Sequence, residues 1–193
     1  MQQKITHVIT GLGDGGAEST LFKLCTRDSS NLHSVISLMD MGKYGELLLA
    51  AGVPTSALNF RRGSFSVRGL VRLARELAFT NPDIVQTWMP HADLIGGVVA
   101  RLAGFRKIFW GIRHSDYPRD GFSTKTLNVM RILGFLSKFV PEAIVSCGYV
   151  AADFHEENFG YDKNLIKVIP NGVDGNYFAP LSDNLFRSNL NVL

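Results

Sequence analysis

The stretch KITHVITGLGDGGAE, residues 4–18, decides how this sequence folds. Its beginning, Lys4 to Thr10, is rich in β-branched residues and has the pattern of a buried strand. A glycine-rich turn follows, and helical periodicity runs from about Ala17 to Arg27. A strand, a glycine-rich turn and a helix in this order predict the opening of a βαβ unit, which belongs to a parallel sheet.

The same alternation of short β-branched runs and helical segments continues along the chain. Further strands are predicted at 33–38, 53–58, 83–87, 107–112, 142–147 and 165–169, and further helices at 45–51, 66–79, 91–103, 125–139 and 150–159. This order predicts an α/β fold: a doubly wound, Rossmann-like parallel sheet with helices on both faces. Residues 171–193 show no strand pattern and are expected to lead out of the domain.

The composition is that of an ordinary globular protein, with 46% hydrophobic and 19% charged residues among 193. A net charge of +3 falls short of the basic clusters that nucleic-acid-binding proteins carry, so no nucleic acid is expected as a partner. The sequence shows neither a signal-peptide pattern nor a membrane-spanning apolar run, which predicts a cytoplasmic location. Cys25 and Cys147 lack metal-ligand spacing and are expected to be reduced thiols.

The loops that follow the strands are where a ligand is expected. In an open parallel sheet, ligands bind beyond the carboxyl ends of the strands, because every loop at that edge faces the same crevice. The loops concerned are 11–16, 88–91, 113–120, 147–149 and 170–174. Their polar side chains, which make them candidates for a site, include His91, Arg113, His114, Asp116 and Asn171.

The first of these loops has the form of a phosphate-binding turn. Gly11, Gly13 and Gly16 satisfy G-x-G-x-x-G between a strand and a helix, where free backbone N–H groups and the helix dipole favour an anion. The alternative is a tight turn without a ligand. Glu18 would add negative charge beside a phosphate, although an acidic residue is also typical of a first helical turn. Asp40, just past the second strand, is placed to bind the ribose of a dinucleotide.

Two histidine positions leave a choice between function and structure. Arg113 and His114 leave a strand side by side, and a cation next to an imidazole suits a site for hydroxyls and phosphates. The structural alternative is an ion pair for Arg113 and a backbone hydrogen bond for His114. His91 either contacts the cleft or caps its helix. His7 and His33 lie in predicted strands, which favours core or edge roles.

The helix predicted at 66–79 has Arg68, Arg72 and Arg75 on one face. A row of this kind is usually a solvated helix face. The alternative is peripheral contact with an anionic membrane surface.

Several stretches together resemble one family, the retaining, glycogen-synthase-like GT-B glycosyltransferases of family 4. They are ITGLGDGGAES at 9–19, PDIVQTWMPHADLIGGVVARLAG at 82–104, WGIRHS at 110–115, IVSCGYVAADFH at 144–155 and GYDKNLIKVIPNGVD at 160–174. They extend over nearly the whole chain in the family's order. Such enzymes have two Rossmann-like domains around a cleft, and this chain resembles the N-terminal, acceptor-side one, over residues 1–179. Residues 180–193 would be the linker or the start of the second domain.

The resemblance also implies roles for particular residues. Gly15 and Gly16 would approach the donor phosphates, His114 would lean toward the transferred sugar, and Asn171 and Gly172 would lie near the domain junction. The donor would be a nucleotide sugar, UDP- or GDP-linked, and the family requires neither a cofactor nor a metal. The acceptor would be a polysaccharide, a lipopolysaccharide or another glycan or lipid-linked molecule. The family's paired glutamates belong to the second domain, so this chain alone is expected to be inactive.

Two other functions remain open from the sequence. An NAD-dependent oxidoreductase or a nucleotide-sugar epimerase would use the glycine-rich loop together with Asp40. A non-catalytic module would only bind an acceptor or a membrane surface.

Overall fold

The computed structural model describes residues 2–61, 66–113 and 123–172. In these ranges seven strands form one sheet in the order β3-β2-β1-β4-β5-β6-β7, and every neighbouring pair is parallel. The strands are β1 Lys4–Ile9, β2 Leu32–Ser37, β3 Thr55–Ala57, β4 Ile84–Trp88, β5 Ile108–Ile112, β6 Ala143–Ser146 and β7 Ile166–Val168. The prediction of a doubly wound parallel sheet is confirmed.

Helices connect successive strands. They are α1 Gly16–Arg27, α2 Gly42–Ala50, α3 Val67–Thr80, α4 Pro90–Ala92, α5 Val98–Leu102, α6 Thr124–Leu136 and α7 Tyr149–Phe159, with a 3₁₀ turn at Lys163–Leu165. The helix predicted at 91–103 is not uniform, because a π-helical segment, Asp93–Gly97, separates α4 from α5. The predicted strand at 53–58 is shortened to β3, and α2 begins before its predicted start.

Alternate side chains of each strand point to opposite faces of the sheet. On one face Val8, Ile36, Val85 and Ile108 pack against a hydrophobic core to which α3, α5, α6 and α7 contribute. On the other face Ile9, Val35 and Trp88 pack with Leu21 of α1 and Leu48 of α2. Helices α1 and α2 therefore cover this second face over β1, β2 and the end of β4.

The order of the strands creates a crevice at their carboxyl ends. From β1 the chain proceeds outward to β2 and β3, and then returns to place β4 on the other side of β1. The loops after β1 and β4 consequently diverge, which leaves an opening between them at the topological switch point. The glycine-rich turn follows β1, and Met89 and Pro90 follow β4.

In the described residues no helix is both long enough and apolar enough to cross a membrane.

Candidate functional site

Leu12 anchors the glycine-rich turn after β1 to the protein core. This side chain is fully buried, and its carbonyl accepts a hydrogen bond from the Tyr44 N–H at 2.9 Å. Gly42 lies directly beneath with φ of +47°, and any side chain there would strike the Leu12 carbonyl. At the outer side of the turn Lys43 donates to Asp14 at 2.9 Å. The turn is thus fixed to the start of α2.

The positive end of α1 opens beyond this turn. Gly15 is the N-cap and Gly16 the first helical residue, and no atom would obstruct a β-carbon on Gly16. A β-carbon on Gly15 would collide with the carboxylate of Glu18, which folds back over the helix start. A phosphate at this helix end would therefore have to displace Glu18. Gly15 and Gly16 have no side chains, and they are the residues that the family resemblance places near the donor phosphates.

Arg113 lies at the end of β5 and is supported by an aromatic ring. Its guanidinium carbon stands 3.9 Å from the ring centre of Trp88, and its Nη1 donates to Oδ1 of Asn171 at 3.2 Å. Burial lowers the pKa of Arg113, whereas Cys147 and Asp93 act in the opposite direction. Because free arginine titrates so high, the side chain stays cationic. Its Nε is buried and has no hydrogen-bond partner among the described residues.

A groove of about 440 Å³ runs from Arg113 along the face of the sheet, and the glycine-rich turn does not line it. Trp88, Arg113, Asn171 and Gly172 line it at the carboxyl end of the sheet, and Thr20 and Leu24 of α1 line its side. The Thr20 hydroxyl donates to the Gly16 carbonyl at 2.8 Å, which connects the groove to the helix start. The structure therefore brings Arg113, Asn171 and Gly172 together, as predicted for neighbouring loops, and α1 flanks them.

Asp93 is a buried carboxyl group that the sequence reasoning did not single out. It accepts a hydrogen bond from the Thr87 hydroxyl at 2.5 Å and from the Gly111 N–H at 3.3 Å. Burial raises the pKa of Asp93 to about 7, against the opposing effect of these hydrogen bonds and of Arg113. The sequence does contain a signal for this buried carboxyl group. Asp93 is an acidic residue inside the apolar run ADLIGGVVA, and such a run is expected to face the core.

Four side chains form a hydrogen-bonded row beneath the groove. The Trp88 indole N–H donates to Nδ1 of His7 at 3.2 Å, and Nε2 of His7 lies 2.9 Å from Nδ1 of His33. Nε2 of His33 lies 3.1 Å from Asp28. Because an indole can only donate, His7 must carry its proton on Nε2 and His33 on its own Nε2. The predicted core role of His7 is confirmed, since it is fully buried.

Burial, with the charges of His33 and Arg113, lowers the pKa of His7 to about 3, so this ring is neutral at physiological pH. Cys25 lies in the same cluster, where ligand atoms of His7, Cys25 and His33 fall within 4.8 Å of one another. Burial and the charge of Asp28 raise the pKa of Cys25 to about 12, and metals bind thiolates. The proton on Nε2 of His7 also occupies its metal-binding lone pair. Both facts favour a structural cluster over a metal site.

The two remaining histidine candidates differ in what the structure says of them. His91 is half-buried in the first turn of α4, whose N-cap is Met89, so the capping role considered for His91 is wrong. Burial lowers the pKa of His91, which favours the neutral ring. His114 and Asp116 lie outside the described residues, as does most of the loop 113–120. Asp40, the candidate ribose ligand, is exposed, and its carbonyl accepts from the Ser37 hydroxyl at 2.7 Å.

Comparison with known families gives one match. The sequence profile described as Glycosyltransferase Family 4 matches residues 7–176. Among curated proteins no significant match to the chain was found.

Solved structures show the same fold at low sequence identity. Anabaena Alr3699/HepE in complex with UDP and glucose has a TM-score of 0.73 and 19% identity, over 98% of this chain and 50% of that chain. The lipopolysaccharide outer core galactosyltransferase WaaB has a TM-score of 0.61 and 15% identity, over 89% of this chain and 46% of that chain. UDP-N-acetylglucosamine 2-epimerase from Rickettsia bellii has a TM-score of 0.59 and 14% identity, over 98% of this chain and 52% of that chain. This chain spans about half the length of each.

Proposed function

Because this chain belongs to Glycosyltransferase Family 4, we propose that it is the N-terminal, acceptor-side half of a retaining GT-B glycosyltransferase. The complete enzyme would transfer a sugar from a nucleotide sugar to a glycan or lipid-linked acceptor, in the assembly of a polysaccharide or lipopolysaccharide. The donor nucleotide is UDP or GDP. Domain boundaries at residue 179 and a linker from 180 onward belong to the same proposal.

The observation that carries this proposal is the Arg113 cluster at the switch point. A cation that is stacked on Trp88 and held by Asn171 suits a ligand that carries negative charge. The cluster lies at the edge of the sheet where α/β enzymes bind their ligands. It stands in a groove flanked by α1, whose N-terminus offers backbone N–H groups at Gly15 and Gly16.

We assign the following roles. Gly15 and Gly16 let the donor diphosphate approach the start of α1, and Arg113 offsets charge that develops on the departing nucleoside diphosphate. His114 contacts the transferred sugar, which makes it the one catalytic residue that we assign in this half. His91, Asn171 and Gly172 line the cleft, where a neutral His91 can exchange hydrogen bonds with acceptor hydroxyls. The scheme needs neither a cofactor nor a metal.

The nature of the acceptor determines where in the cell the enzyme would be located. A glycan acceptor on a lipid carrier would hold it in the cytoplasm at the inner face of the membrane. The arginine row of α3, Arg68, Arg72 and Arg75, is one surface proposed for such peripheral contact. A dinucleotide-dependent enzyme is the competing proposal, and family membership weighs against it.

The complete enzyme, with the coding sequence beyond Leu193, tests the proposal. Arg113→Met is expected to lower kcat/KM for a nucleotide sugar by about 10²–10³-fold, because a charged partner of the leaving group is lost. Arg113→Lys should recover little, since Lys lacks the planar group that stacks on Trp88. Arg75→Met, an exposed arginine on α3, is the matched control. Normal turnover in Arg113→Met, or activity that depends on NAD and is lost in Asp40→Ala, would overturn the proposal.

A further inference from the structure

Four large apolar side chains stand exposed where α5 and α6 end. The exposed fractions are 83% for Leu102, 48% for Ile132, 68% for Phe135 and 62% for Phe139. The rings of Phe135 and Phe139 contact each other, with centroids 5.6 Å apart. Ile132, Phe135 and Phe139 follow one another at helical spacing, so they occupy one outward side of α6 and its C-terminal extension.

The ends of the two helices are tied together. The Arg101 side chain, in the last turn of α5, donates through Nε to the carbonyl of Val140 at 3.1 Å, and through a second nitrogen to the same oxygen. Arg101 is thereby used as a structural link between α5 and the residues that follow α6. Leu102, next in sequence, therefore lies at the same end of the helical layer as Phe139.

The charges within the two segments that carry these side chains all have one sign. Residues 98–107 and 123–141 contain Arg101, Arg106, Lys107, Lys125, Arg131 and Lys138, and neither segment contains an Asp or Glu. The chain as a whole is close to balance, with 20 basic and 17 acidic residues, so the asymmetry is local. The first acidic residue beyond these segments is the exposed Glu142. We name Leu102, Ile132, Phe135 and Phe139, with Arg106, Lys107, Arg131 and Lys138, the α5–α6 patch.

Aromatic and aliphatic side chains among cations are what an anionic lipid surface binds. The apolar groups enter the boundary between headgroups and acyl chains, and Lys and Arg stay at the level of the anionic headgroups. A second copy of this chain is less well suited, because two such patches would bring like charges face to face.

We propose that the α5–α6 patch binds the protein to membranes that carry anionic lipids. The patch is separate from the arginine row of α3, where the Arg72 guanidinium is engaged with the Ala57 carbonyl at 3.3 Å. It also lies away from the groove at Arg113. The inference does not rest on the proposed catalytic function, because a membrane contact through this patch would hold for an enzyme of any specificity.

Sedimentation of the 193-residue chain with lipid vesicles tests the inference. Vesicles of phosphatidylcholine with about 30% phosphatidylglycerol should bind the protein, and binding should weaken strongly when salt is raised from about 0.05 to 0.5 M. Phe135→Ser with Phe139→Ser is expected to lower the partition coefficient at least about tenfold, because the inserting side chains are removed. Arg131→Ser with Lys138→Ser should lower it about tenfold at low salt.

Two matched variants complete the experiment. Leu47→Ser with Leu49→Ser removes exposed apolar side chains of α2, and Lys23→Ser with Arg27→Ser removes exposed cations of α1; both should leave the partition coefficient within about twofold of wild type. Thermal melts of every variant show whether it is folded. Unchanged vesicle binding by folded Phe135→Ser, Phe139→Ser protein overturns the inference. So does a concentration-dependent dimer that this pair of substitutions abolishes, because the patch would then bind a second copy.

Discussion

Two buried groups at the centre of the sheet titrate in opposite senses. His7, with its pKa lowered from 6.5 to about 3, is neutral when folded and charged when unfolded between those pH values. The unfolded state then binds more protons, so this group makes stability rise with pH. Asp93, with its pKa raised from 3.8 to about 7, holds a proton when folded and loses it when unfolded. Asp93 therefore makes stability fall as pH rises from about 3.8 to 7.

Single substitutions should separate these two effects. Between about pH 4.5 and 6 the slopes oppose each other, so their contributions to the free energy of unfolding nearly cancel in the wild type. The Asp93→Asn variant keeps only the effect of His7, because Asn resembles the protonated acid. Its free energy of unfolding should rise by about 1 kcal/mol per pH unit. The His7→Gln variant keeps only the effect of Asp93, and the Gln amide oxygen can still accept from Trp88. Its free energy of unfolding should fall with pH at a similar rate. Urea unfolding at several pH values measures both slopes, and two parallel curves would contradict the assignment.

His114 offers a second prediction at this scale, since it follows the buried strand β5 and Arg113. In the complete enzyme, His114→Ala is expected to lower kcat far more than it lowers stability. Loss of an ordinary hydrogen bond costs about 0.5–1.5 kcal/mol of unfolding free energy, whereas loss of a transition-state contact costs several kcal/mol of activation energy. Steady-state kinetics and denaturant melts on the same variant distinguish the two. A nearly normal kcat with a large loss of stability would make His114 structural.

At the scale of the elements, α6 and the end of α7 are in close contact at a glycine. A β-carbon on Gly134 of α6 would collide with the carbonyl oxygen of Phe159, and it would lie 2.8 Å from the carbonyl carbon. Backbone cannot move aside as a flexible side chain can, so Gly134→Ala is expected to lower the free energy of unfolding by about 1–3 kcal/mol. Gly16→Ala, where no atom obstructs the new methyl group, is the control, expected within about 1 kcal/mol of wild type. Equal melting temperatures for the two variants would contradict this close approach.

The elements also show what the sequence can and cannot predict. Parallel strands are buried on both faces and connected by amphipathic helices, so runs such as 4–10 and 107–112 were sufficient to predict the sheet. The π-helical turns at 93–97 leave no such pattern in the sequence, and neither does the close packing of Gly96 on Val8 and of Gly97 on Trp110. The loop rule predicted that Arg113 and Asn171 would be neighbours. It did not predict the stacking on Trp88 or the row of His7 and His33, which join residues distant in sequence.

At the scale of the whole molecule, the proposed function predicts an incomplete catalyst. The isolated 193-residue chain is expected to transfer no sugar at a measurable rate, because the proposed donor-binding half lies beyond Leu193. Assays with UDP- and GDP-linked sugars, run beside the complete enzyme as the positive control, measure this directly. Sustained turnover by the purified chain would contradict the assignment of donor binding to a second domain.

The central position of β1 also has a consequence for how the protein is made. Ile5–Ile9 pair on one side with β2, which soon follows, but on the other side with Ile84–Trp88, almost eighty residues later in the chain. A ribosome releases the amino terminus first, so β1, α1, β2 and α2 emerge while one edge of β1 still lacks its neighbour. The cluster around Ile9 and Leu21 lacks its largest member until Trp88 emerges. Assembly of this half of the sheet must therefore wait for the fourth strand to be synthesised.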